Sequence, residues 1–346
     1  MSNNITSVRH ICCGCGMCKE ACLLQAIMLE DNKEGFAEPV VNIVACNNCG
    51  LCKTVGPVLN DTSQEFAVHN NNQQYYAVRH KDHNVLQVST SGGIFTALAK
   101  AIVENNGVVA GVSFSDDFRV RYEIVDRTDL IYKINGAKYV QAYSENLIRE
   151  IRSALKQRKY ILLSGTPCMI AAVKKLFTVE EETKFLLTVD IVCHGIPSPK
   201  IWTDFLKVLR AKQGEIKSLC FRYKPLGWRG HNMHIEFESG KIFNNDYLGN
   251  AYCELYFNSL ITRPSCHSCR FTNTNREGDI TIGDFWGIEK IHRHLDDGKG
   301  VSLVIVNTDK GAHLFDEIGS HMYVLKCKRD ECLHYNLHQP TAPAQQ

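Results

Sequence analysis

The chain has 346 residues, 44% of them hydrophobic and 22% charged, with a formal net charge of +2 and sixteen cysteines. Such composition suits about two globular domains, and its near-neutral balance lacks the concentrated basic field that nucleic acid or an anionic membrane would need. No run reaches the ~18 apolar residues of a membrane span. The chain is too long to need disulfide staples and Met1 to His10 has no apolar signal core, so a reducing, oxygen-poor cytoplasm is expected.

Taken in order, the first sixty residues hold two cysteine bursts. Cys12, Cys15, Cys18 and Cys22 follow C-x-x-C-x-x-C-x-x-x-C; Cys46, Cys49 and Cys52 repeat the spacing, but Gly56 stands where the fourth cysteine belongs. A cysteine at every third residue of a tight loop places three thiolates on three irons of one cluster, and the fourth ligand comes from afar. In two-cluster ferredoxins that last cysteine crosses over. By that rule Cys22, Cys46, Cys49 and Cys52 hold a complete 4Fe-4S cluster, whereas Cys12, Cys15 and Cys18 hold one whose fourth ligand is missing. A three-iron cluster, a substitute ligand such as the neighbouring Cys13, or a labile corner would follow. Zinc also binds paired C-x-x-C units, but it does not need the third and fourth cysteines of each run.

Between the bursts, Gln25 to Glu30 and Ala37 to Val41 read as short strands around a turn at Asp31 to Gly35. The polar stretch Asn60 to Gln74 reads as a linker. We therefore expect a ferredoxin-like α+β module over residues 1–68, then an α/β domain over 75–335 with parallel β-α-β units and additional antiparallel strands, and a flexible tail at 336–346.

In the second domain Ser91, Gly92 and Gly93 precede a helix with Ile94, Ala97, Leu98, Ala101 and Ile102 on one face. Glycines there let backbone N–H groups approach a phosphate, or simply form a cap or turn. Strands are expected at Val108 to Phe114 and Val120 to Val125, and a helix at Glu145 to Gln157. The strand Tyr160 to Ser164 ends at Cys168 and leads through a helix (Met169 to Phe177) to the strand Phe185 to Val192, which ends at Cys193 and His194. In such β-α-β units ligands bind at the carboxyl ends of the strands, so these two cysteines point to a shared site rather than inert core positions. Ser198 and Pro199 open a helix. Strands then follow at Ser218 to Tyr223 and Met233 to Glu238, turning at Ser239 and Gly240. Cys266 and Cys269 form another C-x-x-C, and if they meet Cys168 and Cys193 the four would hold a further 4Fe-4S cluster. A strand at Val301 to Asn307, a helix from Lys310 and a strand near Met322 to Cys327 close the domain.

The segments Ser91-Gly92-Gly93, Gly136 to Gln141, Ser164 to Cys168, Cys193-His194-Gly195 with Pro197 to Pro199, Cys266 with Cys269, and Gly278 to Gly287 occur in an order that resembles the beta subunits of coenzyme F420 hydrogenases and dehydrogenases. The resemblance runs from about Ser89 to Asn307. It implies a central 4Fe-4S cluster on Cys168, Cys193, Cys266 and Cys269 beside a flavin, usually FAD. It implies further that Ser91, Gly92, Gly93, Lys138, Tyr139, Gln141, Asp279 and Asp284 line the flavin pocket, with Lys138 a donor or charge partner. His194 is an acid candidate beside its reading as a structural neighbour. The expected activity is that of an iron-sulfur flavoprotein oxidoreductase linking a protein partner, such as a ferredoxin or a hydrogenase or dehydrogenase subunit, to a small-molecule hydride acceptor, coenzyme F420 or another. A ferredoxin-dependent reductase of polysaccharide biosynthesis and a non-catalytic relay subunit are the alternatives. Cys220, Cys253, Cys327 and Cys332 receive no role.

Overall fold

The computed structural model describes residues 3–6, 11–59, 72–245, 250–333 and 337–344. Most of the linker expected at 60–74, and residues 336, 345 and 346 of the tail, lie outside the described residues.

The N-terminal unit is a hairpin of β1 (Ile27–Asp31) and β2 (Ala37–Val41), which pair antiparallel, flanked by the one-turn helices Met17–Glu20 and Leu51–Thr54. Each helix follows a glycine of the cysteine run in the left-handed region, Gly16 at φ 78° and Gly50 at φ 84°. Only glycine enters that region without steric cost, so both runs turn in the same way.

The main domain is an eight-stranded sheet. Its strands are β3 (Gln74–His80), β4 (Val108–Phe114), β5 (Val120–Val125), β6 (Ile161–Gly165), β7 (Leu186–Ile191), β11 (Ile280–Asp284), β12 (Ser302–Val306) and β13 (Met322–Cys327). A separate three-stranded antiparallel sheet holds β8 (Ile216–Cys220), β9 (Met233–Phe237) and β10 (Ile242–Asn245). The large sheet runs β13-β3-β12-β11-β7-β6-β4-β5. Its middle four strands are parallel, while β5 at one edge and β12, β3 and β13 at the other run antiparallel. This is the mixed α/β architecture that the sequence led us to expect.

Three of the parallel strands, β4, β6 and β7, are largely apolar runs because both faces are covered. The helices Ile94–Glu104 and Asp309–Glu317 pack on one face through Leu98, Ile102 and Leu314, and Leu147–Lys156 and Pro167–Leu176 cover the other through Ile151 and Ile170. Pro167 occupies the first turn of its helix, where a missing N–H costs nothing. Ser198 caps the helix Pro199–Gln213 by accepting from Ile201 N. An aromatic core around Trp202, Phe221 and Tyr252 supports the small sheet.

Three strands were not expected: β10, which follows the turn at Ser239 and Gly240, and two in the large sheet. Gln74 begins β3, whose Tyr75, Ala77 and Val78 are buried between β12 and β13, although its ends are polar. The segment around Asp279 forms β11, where Thr281 is fully buried yet bonded to Asp190. The small-sheet strand expected to reach Tyr223 ends at Cys220. Of the expected tail, residues 337–344 are packed: Leu337 is fully buried, and Thr341 O accepts from His267 Nδ1 at 3.0 Å.

Candidate functional site

Two cavities open at the carboxyl ends of β6, β7 and β11. The first, of about 350 Å³, is lined by Cys168, Cys193, Cys266 and Cys269 together with His194 and Arg276. Cys168 sits in the first turn of the helix that follows β6, Cys193 lies just beyond β7, and the other two come from the turn Pro264–Ser268 and its exit. Thus the four cysteines singled out in the sequence share one cavity. Arg276 braces the floor: it pairs with buried Asp190 at 2.8 Å and donates to Ile191 O and Phe271 O.

These thiols are uncomfortable as they stand. Burial pushes Cys266 up to about 12. Burial and then the neighbouring Cys266 and Cys168 raise Cys193 well above the ordinary thiol range. Four half-buried thiols lining one cavity favour a metal, because coordination deprotonates the thiol outright and replaces mutual repulsion with attraction. The donor set therefore fits an iron-sulfur cluster. All sixteen cysteines are free of disulfides.

The second cavity, of about 290 Å³, is lined by Ser91, Gly93, Lys138, Tyr139, Gln141 and Asp284 among others. The first turn of the helix Ile94–Glu104 faces it, entered from Gly93 at φ 84° with no side-chain cap, so open N–H groups point where an anionic group would bind. Lys138 donates to Asn135 O at 2.6 Å and to Lys133 O and Gly136 O, and burial pushes its ammonium down to about 7. Asp284 is held by Arg222 at 2.8 Å and by Trp228 Nε1 at 2.8 Å. Arg222 also donates to the Tyr139 hydroxyl at 3.2 Å. The volume approaches the ~300 Å³ at which ligand clefts begin, and a mostly apolar wall with a few convergent polar groups is their usual make-up. A flavin ring with an anionic tail fits that chemistry.

Two expected pocket residues lie elsewhere. Gly92 is wedged into the sheet: a Cβ on it would stand 2.2 Å from Val78 O, and its N–H bonds Ser302 Oγ at 2.8 Å. Asp279 immediately precedes β11, at the opposite end from the cavities, and accepts from Thr188 N, Thr188 Oγ1 and Thr308 Oγ1. Both hold the scaffold. His194 lines the cysteine cavity edge-on to Tyr256, with ring centroids 5.1 Å apart. Burial lowers its pKa, which keeps it neutral and suits the structural reading.

The N-terminal unit docks on this edge. Cys46, Cys49 and Cys52 lie near one another, and Cys22 packs on the cluster containing Cys52. Cys12 and Cys18 are neighbours. At the vacant fourth position Gly56 O accepts from Lys175 at 3.2 Å, and that lysine also faces Cys15. Cys13, the substitute ligand considered above, stands between the two groups: its thiol is within hydrogen-bonding reach of both Cys15 and Cys168, and it lines both cavities. Gln141 donates to Gly14 O and Ser144 to Cys15 O. Arg263, which is 3% exposed, donates to Cys12 O, Ala37 O and Gln141 Oε1 at 3.0, 2.9 and 3.1 Å. Among the described residues it pairs with no carboxylate. A buried cation beside Cys12 is expensive without an anion, and a cluster ligated by thiolates would be one.

Arg222, Arg263 and Arg276 were missed. The partners that place them at the site, Asp284, Cys12 and Asp190, are 62 to 251 residues away, so no local spacing marks them.

The fold and these cavities define an α/β protein with thiols gathered at the carboxyl ends of its central strands. Residues 158–330, half of the chain, match the family model that describes the C-terminal part of the coenzyme F420 hydrogenase/dehydrogenase beta subunit. The chain belongs to this family. No curated protein matches it. Among solved structures, a chain from the xenon-derivatized F420-reducing [NiFe] hydrogenase complex of Methanosarcina barkeri is similar at 19% identity and a TM-score of 0.49, over 73% of this chain and 81% of that one. Among the described residues no helix is long and apolar enough to cross a membrane.

Proposed function

We propose that the protein is an iron-sulfur flavoprotein oxidoreductase that connects a one-electron protein partner, such as a ferredoxin or a hydrogenase or dehydrogenase subunit, to a small-molecule hydride acceptor. Cys168, Cys193, Cys266 and Cys269 would hold the central 4Fe-4S cluster, the two N-terminal bursts would hold the others, and the second cavity would bind FAD. When bound, the clusters supply single-electron chemistry and the flavin collects two electrons and exchanges hydride.

The observation that carries the proposal is the turn Cys13-Gly14-Cys15, which forms part of the wall of the second cavity while Cys13 also lines the first. The chain's own residues make that junction: Arg263 and Gln141 fix the turn from below, and Ser265 Oγ donates to Cys12 O at 2.9 Å. Asp284, held by Arg222 and Trp228, and Lys138, held by three carbonyls, then present fixed polar groups to a ligand. A wall so braced excludes water and sets orientation, which is what electron exchange between adjacent cofactors requires of a protein.

The test is Cys193→Ser, purified anaerobically. The variant should lose about four irons per chain and keep its flavin. Bleaching of that flavin by a reduced ferredoxin-type donor should slow sharply against the parent. Unchanged iron and unchanged bleaching would refute the proposal. Coenzyme F420 is the first acceptor to offer, because the family description names it.

A further inference from the structure

Away from both cavities, His292, Cys327 and Glu331 bring one ligand atom each to within 4.8 Å of one another. Their chain positions differ. His292 follows the short helix Ile288–Ile291, Cys327 is the last residue of β13, and Glu331 ends the turn Arg329–Glu331. A fourth donor, the sulfur of Cys332, the residue after Glu331, is not among these mutually close atoms but lies within hydrogen-bonding reach of Cys327. Cys332 is 1% exposed.

We propose that Cys327, Cys332, His292 and Glu331 form a closed structural site for a divalent zinc ion. Two sulfurs, one imidazole and one carboxylate are a complete tetrahedral set for that metal, which binds each donor type and needs no open position in a structural role. The spacing agrees. Ligands about 2.0–2.3 Å from a metal stand about 3.3–3.8 Å apart, and His292 Nε2 is 3.6 Å from Glu331 Oε2. His292 Nε2 is also buried with no hydrogen-bond partner, so a coordinated ion would satisfy a nitrogen that otherwise costs free energy. Glu331 is already oriented, since its Oε2 accepts from Lys328 N at 2.7 Å, and metal-ligating carboxylates are themselves held by such hydrogen bonds.

The site is separate from the cysteine cavity. β13 stands four places from β7 in the sheet order, a distance of about 19 Å at the usual strand spacing. Its effect would be to tie the segment after β11 to the sheet edge and to the turn after β13. Cys327, Cys332 and Leu337 already share one apolar cluster with Phe285 and Ile288, so the ion would fasten that cluster from its rim.

The whole protein, purified anaerobically and given one equivalent of zinc before desalting, tests this. Zinc X-ray absorption should show about one ion per chain with two sulfur and two nitrogen or oxygen neighbours. In the double variant Cys327→Ser/Cys332→Ser the zinc should be lost while iron and flavin stay as in the parent. Failure to retain zinc, a shell of four sulfurs, or zinc retained by the double variant would overturn the proposal. The spectrum of the unsubstituted protein decides the case even if the variant does not fold. Because iron and flavin are counted separately, failure here does not touch the proposed redox function.

Discussion

Arg263→Met removes a buried side chain that joins the N-terminal unit, the cysteine turn and Gln141 of the second cavity. The guanidinium makes three hydrogen bonds and lies 4.8 Å over the Phe36 ring. On its loss Cys12 O keeps a donor in Ser265, whereas Ala37 O and Gln141 Oε1 each lose one. Two such orphaned acceptors cost about 2–6 kcal/mol. Relief from burying a cation, and methionine's own packing, offset part of this, leaving about 2–4 kcal/mol. That cost falls on the junction, so local opening of residues 12–37 should become about 30- to 700-fold more frequent. Hydrogen exchange followed by mass spectrometry reads this directly, peptide by peptide, and peptides from β4 and β6 should barely change. Exchange at residues 12–37 within about threefold of the parent would refute the idea that Arg263 holds the unit in place.

Other consequences follow from single positions. Gly92→Ala should lower stability by about 1–3 kcal/mol, the usual cost of overpacking, because the added carbon meets Val78 O; thermal unfolding would show it whether or not flavin is bound. Burial lowers the Lys138 pKa, so between about 7 and 10.5 the unfolded chain binds the proton that the folded chain has released. Stability should therefore rise with pH across that window, and Lys138→Met should flatten the rise in denaturant titrations at several pH values. With Lys175 at Gly56 and the Cys13 thiol shared between Cys15 and Cys168, the cluster on Cys12, Cys15 and Cys18 should be three-iron, labile or absent; electron paramagnetic resonance showing two equivalent four-cysteine clusters in the N-terminal unit would contradict this.

Much of the main sheet could be read from the chain because β4, β6 and β7 are buried on both faces and so are largely apolar runs. β3 and β11 could not. Arg79 and His80 disguise the first, and in the second Thr281 is buried only because Asp190, Arg276 and Asn307 satisfy its hydroxyl, partners that lie up to ninety-one residues away. The same distance problem divided the candidate site. Ser91, Gly93, Lys138, Tyr139, Gln141 and Asp284 face one cavity, whereas Gly92 and Asp279 resemble ligand-binding residues in sequence but contact Val78, Thr188 and Thr308. A glycine next to a helix start looks the same whether its missing side chain makes room for a phosphate or for a neighbouring strand. The grouping of His292 with Cys327 and Cys332 had no local signal at all.

The most direct test of the redox account is the iron, sulfide and flavin content of the anaerobically purified protein. The account predicts about one flavin and about eight to twelve irons per chain, with matching sulfide, about eleven if the cluster at Gly56 is three-iron and about eight if it is absent. Zinc in place of iron at the eleven motif cysteines, together with no flavin, would contradict it.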